Sequence, residues 1–142
     1  MFEWLRHLLG WSRQGRRRPR QAWRNDYSHS RTDPDPEFGP YVEARDWLGA
    51  NAHEAPIASN RFRDRSEAES FVRRLYDLGA VRVLVGNIST EADEGGQYSD
   101  LLVVEVPFDL SRVGGFLEVW EAEFGRMDDY QASSTLLYFW WD

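Results

Sequence analysis

The chain has 142 residues and no internal repeat, which is room for one ordinary domain and an extension. It contains no cysteine, which excludes disulfides, thiolate catalysis and thiolate metal sites, and its 17 basic residues are all arginine, which excludes lysine Schiff-base chemistry. The formal charge of −7 hides two opposite parts: residues 1–24 hold seven Arg against Glu3, a net of +6, while residues 25–142 carry −13.

Residues 1–24 read as an amphipathic helix followed by a basic arm. On a helical wheel of residues 1–12, Trp11, Trp4, Leu8, Met1, Leu5, Leu9 and Phe2 fall in one half, and Glu3, Arg6, His7 and Gly10 in the other. Arg16, Arg17, Arg18 and Arg20 follow directly. Trp4, Trp11 and these four arginines are the candidate interaction residues, in the pattern of an interfacial helix with a polybasic anchor for anionic lipid. Three roles are open to the arm: a start without fixed structure, attachment to an anionic membrane surface through residues 1–20, or docking on its own domain or a partner. No apolar run approaches the roughly 18 residues of a spanning helix, and the basic block follows the apolar one, the reverse of a signal peptide. A cytoplasmic protein is expected, with peripheral attachment at the inner face of the membrane as the alternative the arm allows.

Residues 25–40, rich in Pro, Asp and Ser, read as a linker, and residues 41–142 as the domain with a short preceding helix. In PYVEARDWLG, Pro40 suits a first helical turn, Tyr41, Ala44, Trp47 and Leu48 share one face, and Gly49 supplies a stop. IASNRF, residues 57–62, is a short strand candidate. Ser66 and Glu69 then form a capping box ahead of Ala68, Phe71, Val72, Leu75 and Leu78 at helical spacing, with Gly79 as the stop.

AVRVLVGNI (80–88) and LLVVEVPF (101–108) predict an antiparallel hairpin across the polar loop STEADEGGQYSD. SRVGGFLEVWEAEFG predicts a second helix with Val113, Phe116, Leu117, Trp120 and Phe124 on its apolar face, and TLLYFWWD a final strand. The order strand, helix, strand, strand, helix, strand over residues 57–142 resembles the ferredoxin-like superfold, which includes ACT-type plaits that sense small molecules. That resemblance implies an α+β fold, a βαββαβ plait with a four-stranded antiparallel sheet whose first and third strands are central and whose helices lie on one face. Because strands 81–88 and 136–141 are apolar on both sides, the other face needs a cover: a second copy of the domain, or residues from 1–50.

Catalytic material is sparse. The three histidines are scattered, and His53 reads as a loop or cap residue. The acidic loop 91–100 fails as an EF-hand: counted from Glu91, Gly95 falls at a ligand position and Leu102 where a bidentate Glu is needed. Gly114 and Gly115 match no phosphate-loop pattern and suit close helix packing. Arg61, Arg63 and Arg65 would gather on one side of an extended strand, and Arg82 and Glu105 are the polar residues inside the hairpin strands. Arg61, Arg63, Arg82 and Glu105 are accordingly the candidate anion or polar site, with local ion pairing as the plain use of each and Glu105 as the one hint of a general acid or base. No metal and no cofactor is expected, and strand 101–108 lacks the basic, glycine and aromatic pattern of an RNA-recognition strand, so no specific nucleic acid is expected either.

The leading expectation is a non-enzymatic regulatory or adaptor domain that binds a protein partner, or itself as a homodimer, through the open sheet face. A small-molecule-sensing plait is the alternative, and an enzyme using carboxylate acid/base chemistry the second alternative.

Overall fold

The computed structural model describes residues 33–91, 95–125 and 135–141. The arm with Trp4, Trp11, Arg16, Arg17, Arg18 and Arg20, and most of the linker, lie outside the described residues. The elements in chain order are β1 (Val42–Glu43), α1 (Ala44–Ala50), α2 (Arg65–Asp77), β2 (Arg82–Gly86), β3 (Ser89–Glu91), β4 (Gly96–Tyr98), β5 (Leu101–Glu105), α3 (Leu110–Phe124) and β6 (Leu136–Trp140). The fold is α+β: three helices and a four-stranded antiparallel sheet in the order β1-β2-β5-β6, with β3 and β4 forming a separate ribbon in the hairpin loop.

The sheet and its helices agree with the sequence reading, but the strand order of the plait is not the one found. In a plait, residues 57–62 would lie between the last strand and 101–108. Here β6 pairs directly with β5, and β1 takes the far edge beside β2. Residues 57–62 form a turn instead. Ile57 makes one isolated parallel bridge to Ser99, Ala58 takes φ +37°, and the amides of Arg61 and Phe62 both donate to the Ala58 carbonyl. The polar Ser59, Asn60 and Arg61 interrupt the apolar alternation that a central strand needs.

Helix boundaries follow their caps. Glu43 caps α1 by accepting from the Asp46 amide at 2.7 Å, so the helix begins at Ala44 rather than at Pro40 and runs through Gly49. Asp64, two residues ahead of the expected Ser66, caps α2 by accepting from the Glu67 amide at 2.9 Å, while the Glu67 carboxylate accepts from the Arg63 amide. Gly79 ends that helix at φ +104°, the left-handed turn for which glycine is suited. In α3, a Cβ on Gly115 would lie 3.3 Å from Leu78, so the missing side chain lets α3 approach the end of α2.

The three helices share one sheet face. Val83, Val85, Leu102, Val104, Leu137 and Phe139 pack there against Trp47 and Leu48 of α1, Phe71 and Leu75 of α2, and Phe116 and Trp120 of α3. At the rim, Trp141 has the rings of Phe62, Phe71, Phe124 and Phe139 within 5.2–5.8 Å, mixing edge-on and tilted contacts.

The opposite face carries Leu84, Leu101, Val103, Leu136, Tyr138 and Trp140, with a strap of residues 35–41 laid across one end. Phe38 stands edge-on to Trp140 at 5.3 Å, the Asp35 amide donates to the Tyr138 hydroxyl at 2.9 Å, and the Tyr41 hydroxyl donates to the Asp35 carbonyl. Tyr41 is therefore separated by the sheet from Ala44, Trp47 and Leu48, with which a continuous helix would have aligned it. It rests on Gly86, where a Cβ would overlap its ring and come within 3.0 Å of the Phe38 carbonyl oxygen. The next residue, Asn87, turns at φ +49° and donates its amide to that same carbonyl at 2.6 Å.

Gly86→Ala is expected to lift the strap and lower stability by about 1–3 kcal/mol, as overpacking does. Urea unfolding followed by tryptophan fluorescence measures this, and a stability unchanged from the native chain contradicts the assigned contact.

Candidate functional site

The four polar candidates separate into two places. Arg82 and Glu105 are direct partners across β2 and β5, on the strap side of the sheet at the end remote from Gly86, and their side chains pair. Glu105 is thereby held by an arginine opposite it and serves the ladder as a cross-strand ion pair.

Arg61 and Arg63 come together at an open cleft of about 460 Å³ between the 57–62 turn and α2. Phe62 and Phe71, both buried, back it, while Ser66, Ser70 and Arg74 recur at helical spacing along its wall. Arg61 grips Glu123 of α3 through both Nε and a terminal nitrogen, at 2.7–3.0 Å, with its guanidinium 4.7 Å from the Phe62 ring centre. Glu123 also accepts from the Trp141 indole at 3.3 Å, so one carboxylate joins the turn, α3 and the end of β6. Arg63 pairs with Glu67 at 2.8 Å on the surface. Arg74, exposed in the last turn of α2, completes the basic rim of the cleft.

Arg65 does not join them. As the first residue of α2 it turns away, donating to the Leu48 carbonyl at 2.9 Å and the His53 carbonyl at 2.7 Å. It thus neutralises the carbonyl end of α1, where a cation is favourable. The extended geometry that would have aligned Arg61, Arg63 and Arg65 is replaced by a turn and a helix start.

Compared with protein-family models, curated proteins and solved structures, the chain matches none of them.

Two clusters had no clear sequence signal. In one, Asn51 replaces a neighbouring strand for β4: its side-chain nitrogen donates to the Gln97 carbonyl at 2.7 Å and its oxygen accepts from the Gln97 amide at 3.1 Å. The Trp47 indole donates to the Gln97 side chain at 2.8 Å, and Gly96 leaves room for Asn51 to lie against the ribbon. His53 belongs to this seam, buried, its Nδ1 accepting from the Ala55 amide at 3.0 Å. These bonds fix the ribbon to the body of the domain.

The second cluster joins Glu43, Arg45 and Tyr76. The Tyr76 hydroxyl donates to Glu43 at 2.6 Å and accepts from the Val83 amide at 3.1 Å, while the Arg45 guanidinium lies 3.8 Å above the tyrosine ring. Burial pushes the Glu43 carboxyl up, but the bonds from Tyr76 and from the amides of Asp46 and Arg45 outweigh it and hold the group below its usual range. Burial, and then donation to Glu43, push the Tyr76 hydroxyl up. The cluster closes the edge of the sheet onto α1 and α2.

Among the described residues there is no group of three or more His, Cys, Asp or Glu able to hold a metal ion, and no helix long and apolar enough to cross a membrane. The arginine-rimmed cleft is an open concavity of the described surface.

The Glu43–Tyr76 bond has a definite pH signature. A carboxyl held low in the folded state stabilises above its unfolded value, about pH 4.3, and that contribution disappears as pH falls through the folded value. A tyrosine held high has the opposite consequence, with stability falling as pH rises above about 10, where the unfolded phenol ionises first. Tyr76→Phe is expected to cost about 1–3 kcal/mol near neutral pH by leaving the Val83 amide unpaired, and to flatten the alkaline part of the profile. Urea midpoints from pH 3 to 11 test both, and an unaltered alkaline slope in the variant refutes the assignment.

Proposed function

We propose that this chain is a non-enzymatic interaction domain, a regulatory or adaptor module that engages an acidic segment of a protein partner at the cleft between the 57–62 turn and α2. The observation that carries the reading is the cleft itself: three arginines, Arg61, Arg63 and Arg74, outnumber the carboxylates of Asp64 and Glu67 at its rim, with Ser66 and Ser70 between them over an aromatic backing. Arginine and aromatic groups are the side chains most enriched where proteins bind one another. The Arg63–Glu67 pair is exposed, and such pairs contribute little to folding, so the Arg63 guanidinium can turn to a partner's carboxylate at small cost while Glu67 keeps its bond from the Arg63 amide. The polar groups of the interior are engaged in structure instead: Arg65 holds two carbonyls, Glu105 faces Arg82, and Glu43 caps α1.

The volume of the cleft favours a second reading, a small anionic metabolite in the same place, since about 300–1,000 Å³ is the usual range for small-ligand sites. Thermal stabilisation by inorganic phosphate, citrate or a nucleotide, lost when Arg63 and Arg74 are replaced by Gln, would select it.

The main reading is tested by the double variant Arg63→Gln/Arg74→Gln, which removes two exposed charges without placing a carboxylate beside the Asp64 and Glu67 cap of α2, and whose folding is checked by urea unfolding. Quantitative affinity purification from the source cells is expected to recover a partner with the native chain and lose it with the variant. Equal recovery by the two proteins, or no partner enriched over a control by the native chain, sinks the proposal.

A further inference from the structure

The wall that α2 gives to the cleft is polar along its length. Ser66, Ser70 and Arg74 follow one another at four-residue intervals, all three are exposed, and among the described residues their side chains take part in no hydrogen bond or ion pair. Each interval rises about 6 Å along the helix axis, so the three groups form a ladder of donors about 12 Å long. Phe62 and Phe71 back the cleft but are buried, at 2% and 6% exposure, and offer little apolar surface to a visitor. Arg61 is held by Glu123, whereas Arg63 lies just ahead of α2 and Arg74 in its last turn, so these two bracket the serines from opposite ends.

On the reading of the cleft as a dock for an acidic protein segment, we infer that the segment is an extended strand laid along α2. Its backbone carbonyls accept from Ser66 and Ser70, and two acidic side chains four residues apart reach Arg63 and Arg74. The spacing of the wall selects this occupant. Carbonyls on one edge of a strand repeat every two residues, about 6.6 Å, close to the 6 Å step of the serines. Side chains four residues apart leave the same face of a strand about 13 Å from each other. From its first residue, Arg65, to Arg74, α2 rises about 13.5 Å.

A helix fits neither the chemistry nor the space. Its carbonyls are consumed by its own backbone amides, and 12 Å of helix about 10 Å across fills roughly 900 Å³, against roughly 600 Å³ for a strand about 4.8 by 10 Å in section. The cleft holds about 460 Å³ and is open, so a strand seats there with its outer edge in solvent. Charge alone selects little, because three arginines against the carboxylates of Asp64 and Glu67 leave the rim a net of +1. Selectivity comes instead from the separation of the two acids, with the serines holding a backbone of any sequence.

Two capped peptides of one composition, threonine and valine with two glutamates either four positions apart or adjacent, test this by titration into the nitrogen-15-labelled full chain. The spaced peptide is expected to bind about fivefold tighter or more and to shift the amide signals of Ser66, Ser70 and Arg74. Ser66→Ala/Ser70→Ala, which removes only exposed hydroxyls, is expected to weaken the spaced peptide by about fivefold or more with the helical circular dichroism unchanged. Native affinity in that variant overturns the inference. Equal affinities of the two peptides, falling together in Arg63→Gln/Arg74→Gln, also overturn it while leaving an acidic dock in place. Binding by neither peptide overturns it as well, and the affinity purification with the glutamine variant then decides the dock by itself.

Discussion

A sheet with no wet face governs this structure. β2, β5 and β6 carry aliphatic and aromatic side chains on both sides, so neither surface can be left to solvent, and the three helices and the strap are arranged to cover them. The helices take the first face because their apolar stripes are broad enough to bury it. The strap begins on the second face through a glycine, a left-handed asparagine and two aromatic rings. Gly86 is where the two solutions meet, since its missing side chain admits Tyr41 while its backbone continues the ladder with Leu101.

Charge is used in the same economical way. Several arginines serve the structure: Arg65 bonds the carbonyls of α1 and the following loop, Arg82 pairs with Glu105, and Arg61 pairs with Glu123. The Arg61–Glu123–Trp141 chain is notable because it ties an irregular turn to the last described residues of the chain, behind which four aromatic rings meet. The turn that failed to become a strand is thereby held firmly enough to form one wall of the cleft. Binding surfaces built on irregular segments depend on such anchoring.

How far the sequence could be read follows from which interactions were local. α2 was legible because its apolar spacing and terminal glycine lie within the segment, although two acceptable capping patterns overlapped and the carboxylate of Asp64, closer to the chain entry, won over Ser66. The hairpin of β2 and β5 was legible from its β-branched runs. The strand expected over 57–62 was not, because Ile57 and Phe62, five positions apart, would point to opposite faces of a strand, and Ser59, Asn60 and Arg61 supply no apolar alternation between them. The ribbon β3–β4 was hidden inside a loop whose polarity looked sufficient explanation. It forms because Asn51, some 46 residues away, supplies the edge it pairs with.

By itself, then, the sequence determined the composition of the fold: an α+β domain, two long amphipathic helices, a doubly apolar sheet that demands two covers, and an acidic body behind a basic start. These rest on periodicity and capping, which act over a few residues. Tertiary structure alone decided the strand order, the placement of Tyr41 across the sheet from α1, and the parting of Arg61 and Arg63 from Arg65 and of all three from Arg82 and Glu105. Each of those depends on which distant surface was available to be buried or bonded, a quantity that no local window of sequence contains.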